Sequence, residues 1–265
     1  MNRSGIITLT TDFGASDPYV AIMKGVILSI NPEASIIDIS HQVDAGAIAQ
    51  AASILVEACG FFPKGTIHIG VIDPGVGGDR RAILIKTEGH FFIGPDNGLF
   101  WPVINTQKDV VIIHLTEKKF FLPQISHTFH GRDIFAPVAA HICRGVNPFD
   151  MGTIITDPVL LNLPVPQQNG DVIRGQIVRM DHFGNLMTNI HSKDIAHFSE
   201  SPLIRVGDAI IKGLKKTYAE AMSGELIALI GSSDYLELAV NSGRAGNRIG
   251  VDKARLIGTE VEIKK

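Results

Sequence analysis

The chain has 265 residues, of which 45% are apolar and 19% are charged, a composition that supports a folded core and excludes an intrinsically disordered protein. The formal net charge is −3 with both signs interspersed, so the basic surface of a nucleic-acid-binding protein is not expected. No apolar run reaches the ~18 residues of a membrane-spanning helix, and we expect a cytoplasmic protein with no membrane partner.

The N-terminal part of the chain predicts a layered α/β domain, because short apolar runs alternate with amphipathic stretches. Asp17-Pro18 is a helix start signal, Asn31-Pro32 is a stop signal, and Gly60 is expected to end a helix with positive φ. Glu88-Gly89 separates two apolar runs at hairpin spacing, which predicts a mixed sheet. Strands are predicted at 6–11, 35–39, 66–72, 82–87 and 90–93, and helices at 18–30, 45–59 and 133–143 with Asp133 as the last N-cap.

Four prolines between residues 147 and 170 predict an ordered linker. We therefore expect an α/β domain over residues 1–165 and a smaller β domain over residues 166–265. The short apolar runs and glycine-rich turns of the second domain are typical of an antiparallel sheet or barrel. Its strands are predicted at 173–180, 203–206, 226–230, 235–240 and 256–263.

Three polar stretches of the first domain lie where catalytic or binding residues are expected. Asp12 follows the first strand, at the edge where α/β sheets bind ligands, and its two oxygens match a ribose diol. Asp73 opens a glycine-rich loop after the third strand, and His130 lies near a helix start whose partial positive charge favours an anion or a polarised water. A turn cap, a plain glycine turn and a packing histidine are the respective structural alternatives.

Two further polar stretches belong to the second domain. Residues 181–189 combine a phenylalanine ring with amide side chains, which suits a purine but equally fits a β-turn. Residues 230–237 offer hydroxyls and carboxylates and are uninformative alone. The ten histidines lack metal-ligand spacing and the two cysteines are expected to be free thiols, so neither a metal nor a cofactor is predicted.

Together these stretches resemble the S-adenosylmethionine hydroxide adenosyltransferase family, which is similar to the fluorinases and chlorinases. The resemblance covers nearly the whole chain, and it is specific because seven individually weak motifs occur in order. These motifs are Thr10-Thr11-Asp12-Phe13-Gly14, Asn31-Pro32, Ile39-Ser40-His41, Asp73-Pro74-Gly75-Val76-Gly77-Gly78, Gly94-Pro95-Asp96-Asn97-Gly98-Leu99, Phe129-His130-Gly131-Arg132-Asp133 and Asp181-His182-Phe183-Gly184-Asn185.

The resemblance implies hydrolysis of S-adenosylmethionine to adenosine and L-methionine, without a metal or cofactor, by a homotrimer with active sites between subunits. It implies a catalytic trio of Asp73, Arg80 and His130, with the adjacent Arg81 as an alternative arginine. It also implies a set of substrate-binding residues, namely Asp12, Phe129, Gly131, Asp181, Phe183, Asn185, Ser232, Ser233 and Glu237.

Three other activities stay open at this level: a halogenase, a non-catalytic sensor of adenosine or S-adenosylmethionine, and a methyltransferase. By the same resemblance, the halogenating relatives lack the aspartate and carry a long insertion after the glycine-rich loop. This chain has Asp73 and passes with few residues from Arg81 to His90. The hydrolase is therefore the preferred prediction.

Overall fold

A computed structural model describes residues 3–198, 201–252 and 255–265. It divides into two compact units, Met1–Leu161 and Asn162–Lys265, and each is described by itself. The division falls inside the proline-containing segment, and the predicted domain boundary after residue 165 stays a prediction. The described part of the chain has no helix long and apolar enough to cross a membrane.

The first unit is built on a seven-stranded mixed sheet, so the predicted layered α/β architecture is confirmed. The strand order is β2-β1-β3-β5-β4-β6-β7, parallel from β2 to β5 and antiparallel from β5 to β7. Its strands are β1 (Ile6–Thr11), β2 (Ser35–Ser40), β3 (Ile67–Val71), β4 (Ala82–Lys86), β5 (Phe91–Pro95), β6 (Val111–Leu115) and β7 (Gly152–Ile155). Its α-helices are α1 (Tyr19–Ile30), α2 (Ile48–Cys59), α3 (Trp101–Thr106) and α4 (Ala136–Cys143).

Both faces of this sheet are buried, because each carries its own apolar cluster. Alternate strand residues such as Ile7, Leu9 and Ile69 pack with apolar residues of α1 and α4 on one face. Strand residues such as Ile83 and Ile85 pack with α2 and α3 on the other. Near-continuous apolar strands are what a sheet covered on both faces requires.

Four predictions about helix ends are wrong. Helix α1 has Pro18 rather than Asp17 at its N-cap position, with no capping side chain, and α2 starts at Ile48 because the chain before it forms a loop. Gly60 has φ −64°, so the positive-φ residue predicted there does not occur. Asp133 does not cap a helix, since it lies inside a π-helix (Gly131–Phe135) that runs directly into α4. Hydrogen bonds from Ser126 and Arg132 to the buried Asp133 carboxylate override the cap signal.

The predicted linker is only partly a linker. Gly152–Ile155 forms β7 at the edge of the first sheet, and Gln167–Asn169 forms β8 of the second. The prolines lie between and beside these short strands, where a missing N–H does not interrupt a central ladder.

The second unit is an eight-stranded antiparallel sheet that nearly closes on itself, as predicted. The strand order is β12-β11-β15-β9-β10-β14-β13, with β8 paired to β9. Lys215, which follows β12, forms a bridge with Leu229 of β13, so the two ends of the sheet meet. Its elements are β8 (Gln167–Asn169), β9 (Val172–Met180), β10 (Leu186–His191), α5 (Ser192–Ile195), β11 (Leu203–Val206), β12 (Ala209–Lys212), β13 (Leu226–Ile230), β14 (Tyr235–Val240) and β15 (Glu260–Lys264).

Candidate functional site

Asp12 and Asp73 follow the ends of two neighbouring parallel strands. Thr11, the last residue of β1, is paired with Val71, the last residue of β3. The carboxyl ends of parallel strands share one edge of the sheet, so the two acids that follow them are delivered to the same side. This is the relationship that the sequence predicts for ligand-binding residues of an α/β unit.

Asp73 and Arg80 stand at opposite ends of the β3–β4 loop and form a bidentate ion pair. The Arg80 Nε donates to both carboxylate oxygens of Asp73, at 2.9 and 3.0 Å, and Nη2 also donates to Oδ2. Only 6% of the Asp73 side chain and 11% of the Arg80 side chain are exposed. Such low exposure and a forked geometry fix the orientation of both groups.

Arg80 also holds His130. Its Nη2 lies 2.7 Å from Nδ1 of His130, and because a guanidinium has donors but no acceptor, Nδ1 must accept. The neutral ring therefore carries its hydrogen on Nε2. Burial and the positive charge of Arg80 lower the pKa of His130 below its ordinary value, which keeps the ring neutral.

Arg81 has a different and structural role. Its Nε donates to Asp96 at 2.8 Å, and its Nη1 donates to Asp157 at 2.8 Å. The side chain thus fastens the segment after β7 to the end of β5, and it is Arg80 that contacts both Asp73 and His130.

The two loops that carry the trio interlock through Gly77. This residue has φ +76°, which favours glycine, and a Cβ there would overlap the backbone carbonyl oxygen of His127. The glycine-rich loop therefore packs directly on the segment that leads to His130. The role of Gly77 was not predicted from the sequence, which showed only that the loop was rich in glycine.

The π-helix that follows His130 is fixed by Asp133. Its fully buried carboxylate accepts from the Ser126 backbone N–H at 2.8 Å and from Nε of Arg132 at 2.6 Å. Burial opposes ionisation of Asp133, but these hydrogen bonds outweigh it and hold the pKa below its ordinary value. π-Helical turns inside α-helices are frequently found at functional sites.

A cavity of about 390 Å³ opens beside the trio within the first unit. It brings together five of the residues predicted to act in catalysis or binding, and a nucleoside-sized ligand fits such a volume. The cavity is lined by Asp12, Phe13, Ala45, Gly46, Val71, Asp73, Pro74, Val76, Thr128, Phe129, His130 and Gly131.

Aromatic rings form one wall of this cavity. The Phe129 ring packs edge-on against Phe13 and Tyr19, with ring centroids 5.8 and 5.2 Å apart. Gly131 is close to this wall, and a Cβ there would lie 3.3 Å from the Phe129 ring. Phe13 was quoted only as part of a motif, and its place in the wall could not be read from the sequence.

The predicted binding residues of the second unit form their own polar group. Asp181 accepts from the backbone N–H of Asn185 at 2.8 Å and from its side-chain amide at 3.0 Å, so the two residues are tied in one turn. Phe183, in the same turn, is 74% exposed. An exposed ring beside an ordered amide leaves a π-face available to a ligand.

Glu237 is a buried acid of this unit. Burial raises its pKa, a hydrogen bond from the Tyr218 hydroxyl opposes the increase, and the Asp181 carboxylate adds to it. Of the two neighbouring serines, Ser232 is exposed, whereas Ser233 buries its hydroxyl oxygen without a hydrogen-bond partner among the described residues. Tyr218 was not predicted, since nothing in the sequence around it marks a site.

Potential metal ligands are dispersed. Over residues 3–198, 201–252 and 255–265, no group of three or more His, Cys, Asp or Glu side chains is arranged to hold a metal ion. Metal independence stays a prediction. Both cysteines are free thiols, as predicted.

Comparison with known families decides the relationship. The family models for the N-terminal and C-terminal domains of SAM hydroxide adenosyltransferases match residues 7–152 and 175–257. The chain belongs to the SAM hydroxide adenosyltransferase family. The predicted resemblance is therefore confirmed.

Relatives within and around this family include enzymes with two kinds of name. The chain is similar to the (R)-S-adenosyl-L-methionine hydrolase of Salinispora tropica, at 34% identity over 92% of this chain and 94% of the relative. It is also similar to a fluorinase of an Actinoplanes species, at 28% identity over 96% of this chain and 99% of the relative. That second comparison spans 295 residues, so the fluorinase contains residues that this shorter chain lacks.

A solved structure shares the fold of this adenosyltransferase family member. An uncharacterized conserved protein of Thermotoga maritima superposes with a TM-score of 0.91 and 35% identity. The comparison covers 98% of this chain and all of that one.

Proposed function

We propose that this protein hydrolyses S-adenosyl-L-methionine, with R configuration at the sulfonium, to adenosine and L-methionine. The observation that carries the proposal is the convergence of Asp73, Arg80 and His130 beside a nucleoside-sized cavity. The hydrolase names of full-length relatives at 33–36% identity support the same reaction, and they are the source of the proposed R configuration.

The cavity suits the charge and shape of this substrate. Asp12 presents a carboxylate at the cavity, where it accepts hydrogen bonds from the two ribose hydroxyls. The ring wall of Phe13 and Phe129 offers π-electron density to a sulfonium cation. A cationic substrate is also consistent with the carboxylates of Asp12 and Asp73 at one cavity.

The reaction replaces one bond at the ribose C5′ carbon. The oxygen of water forms a bond to C5′, the C5′–S bond breaks, and its electron pair stays on sulfur, which leaves as the neutral thioether of methionine. One proton is released from the water. The positive charge of the substrate is dispersed rather than created, so the main difficulty is to orient and deprotonate a weak nucleophile.

In this proposal the three groups have different tasks. Because Arg80 occupies Nδ1 of His130, the Nε2–H of the ring is the group that orients the water oxygen. Asp73 is the acceptor of the trio, and its carboxylate takes the proton that the attacking water loses. Arg80 holds both partners and stabilises hydroxide character on the nucleophile.

The second unit supplies the remaining substrate contacts in this proposal. Phe183 and Asn185 contact the adenosine part, with Asp181 holding Asn185 in place. Ser232, Ser233 and Glu237 are assigned to the methionine end.

Following the family resemblance, the protein is a homotrimer with active sites between subunits. Light scattering on the purified protein will test the trimeric state.

Product analysis in ¹⁸O-labelled water tests the reaction. We expect adenosine with one ¹⁸O atom in its 5′-hydroxyl, together with an equal amount of unlabelled methionine. Stoichiometric binding without any product over hours would instead indicate a sensor, and S-adenosylhomocysteine would indicate a methyltransferase.

A matched incubation with chloride or fluoride tests the halogenase alternative that the fluorinase relatives raise. We expect adenosine and no 5′-halogenated nucleoside. The Asp73→Asn variant is the control for the hydrolysis. It keeps the size of the side chain but removes the proton acceptor of the proposed hydrolysis.

A further inference from the structure

His41 belongs to a motif quoted above, yet no task in the proposed reaction uses it. Its side chain is mostly buried, and its Nδ1 lies 2.8 Å from Oγ1 of Thr11. Thr11 is fully buried at the end of β1, immediately before Asp12. The imidazole therefore contacts the strand end that delivers the proposed ribose-binding carboxylate.

The same hydroxyl organises the turn that follows. The Phe13 backbone N–H donates to Oγ1 of Thr11 at 3.3 Å, which leaves the hydroxyl hydrogen available to Nδ1 of His41. The backbone carbonyl of His41 accepts from the Gly14 N–H at 2.8 Å. His41 thus holds the four-residue segment 11–14 at both of its ends.

Asp12 is reached from the same side of the structure. Its Oδ2 accepts from the Gly46 backbone N–H at 2.9 Å, and Gly46 belongs to the loop that starts with His41. Segment 11–14 and loop 41–46 are therefore joined by three independent contacts, and both line the cavity.

The Asp38 carboxylate lies beside the outer side of the His41 ring. Its Nε2 lies 3.0 Å from Oδ1 of Asp38, although this nitrogen has no aligned hydrogen-bond partner among the described residues. Lys24 contacts the other oxygen of Asp38 at 2.6 Å. Because Asp38 and Lys24 are about one-third exposed, this outer pair contributes little energy of its own.

We propose that His41 is a positioning residue, which sets the orientation of the Asp12 carboxylate through Thr11 and thereby determines how strongly the ribose diol is held. The inference rests on the proposed function, since it assigns Asp12 to the ribose. His41 itself does not contact the nucleoside.

Nucleoside binding by calorimetry tests this role, with adenosine and 2′,3′-dideoxyadenosine as probes. His41→Leu removes the contact with Thr11 but keeps the backbone carbonyl bond to Gly14. We expect about tenfold weaker binding of adenosine, the loss of roughly one hydrogen bond, and no change for the dideoxy probe. His41→Asn, which retains a polar atom near the Nδ1 position, should bind adenosine within about threefold of the parent.

Two further variants separate positioning from a general effect on the fold. In an Asp12→Ala background, His41→Leu should cause no additional loss of adenosine binding, because the two changes act on one interaction. Lys24→Ala removes only the outer ion pair and should change adenosine affinity less than about twofold. Thermal unfolding of each variant shows whether it is folded, and Thr11→Val provides a second route to the same lost contact.

Equal weakening of both nucleosides in His41→Leu, or an additive loss in the Asp12→Ala background, would overturn the positioning role. Unchanged adenosine binding in both His41→Leu and Thr11→Val would do the same. These outcomes differ from a failure of the proposed function, in which the unaltered protein forms no labelled adenosine from S-adenosylmethionine. If the unaltered protein hydrolyses its substrate but binds the two probes equally, Asp12 does not hold the diol and the inference about His41 is wrong.

Discussion

The guanidinium of Arg80 donates to Nδ1 of His130 at 2.7 Å and also donates to both carboxylate oxygens of Asp73. This contact decides which nitrogen of the imidazole carries the hydrogen. In the proposed reaction it leaves the aspartate as the proton acceptor. The three groups thus act as one assembly in which each fixes the chemical state of the next.

Asp73→Asn should abolish most turnover without abolishing binding. The amide has nearly the size of the carboxylate but cannot take the proton of water, and we expect kcat to fall on the order of a hundredfold or more. Single-turnover formation of adenosine, with the dissociation constant of S-adenosylmethionine measured separately, checks this. A near-normal single-turnover rate would remove Asp73 from the chemistry.

Replacing each of the two adjacent arginines by lysine should separate their roles. Arg80→Lys loses the forked contact with Asp73 and the hydrogen bond to His130, so kcat should fall about a hundredfold. Arg81→Lys loosens the contacts with Asp96 and Asp157, so the unfolding temperature should fall by a few degrees with kcat within about threefold of the parent. The opposite pattern would make Arg81 the catalytic arginine.

The acid limb of the pH profile of kcat/KM should lie below the usual pKa range of histidine. Burial and Arg80 lower the pKa of His130, and protonation would place a hydrogen on Nδ1 against the guanidinium. Activity should therefore be retained as pH falls to about 6.5, the ordinary value for histidine, and be lost only at lower pH. In Arg80→Lys the forked contact is gone and this limb should shift, so an unchanged limb would argue that another group controls it.

A buried histidine remote from the trio should make the fold sensitive to acid. His68 is fully buried, donates to or accepts from Thr8 at 2.8 Å, and has its pKa lowered to about 3 by burial and by the nearby His90. Below pH ~6.5 the unfolded chain binds a proton that the folded protein does not. Stability that is present above pH ~6.5 is therefore lost progressively as pH falls towards 3.

Urea unfolding at pH 7 and at pH 4.5 measures this effect. The Thr8→Val/His68→Phe double variant removes both hydrogen-bond partners and the titrating ring together. From pH 7 to pH 4.5, the free energy of unfolding of the double variant should decrease by about 2 kcal/mol less than the free energy of unfolding of the parent does. His182→Gln, which removes an exposed histidine, is the control and should follow the parent. A double variant that loses as much stability as the parent would exclude His68 as a source of acid sensitivity.

The sequence predicts those parts of the site that depend on strand ends. Asp12 and Asp73 follow apolar runs at the positions where parallel strands end, and their approach to one another follows from the sheet. The choice between Arg80 and Arg81 could not be made, because adjacent residues differ only in where the loop directs them. That direction is set by distant partners, His130 in one case and Asp157 in the other.

Local signals fail where other contacts of the same residues override them. Asp133 has the residue type of an N-cap, but its carboxylate is satisfied by Ser126 and Arg132, and it lies within a π-helix. Strand β7 is flanked by prolines and has no clear alternation, yet its pairing with β6 adds it to the sheet. Strand β10 is absent from the predicted strands, because Leu186–His191 mixes polar and apolar residues.

The missing side chain at Gly77 has a consequence for protein engineering. The carbonyl group of His127 fills the space that any larger residue at 77 would need. The segments around Asp73 and His130 are therefore sterically complementary. Exchange of only one of these segments with a distant homologue would disrupt their fit even if every reactive group were retained. Chimaeras intended to alter nucleophile preference should therefore transplant the two segments together.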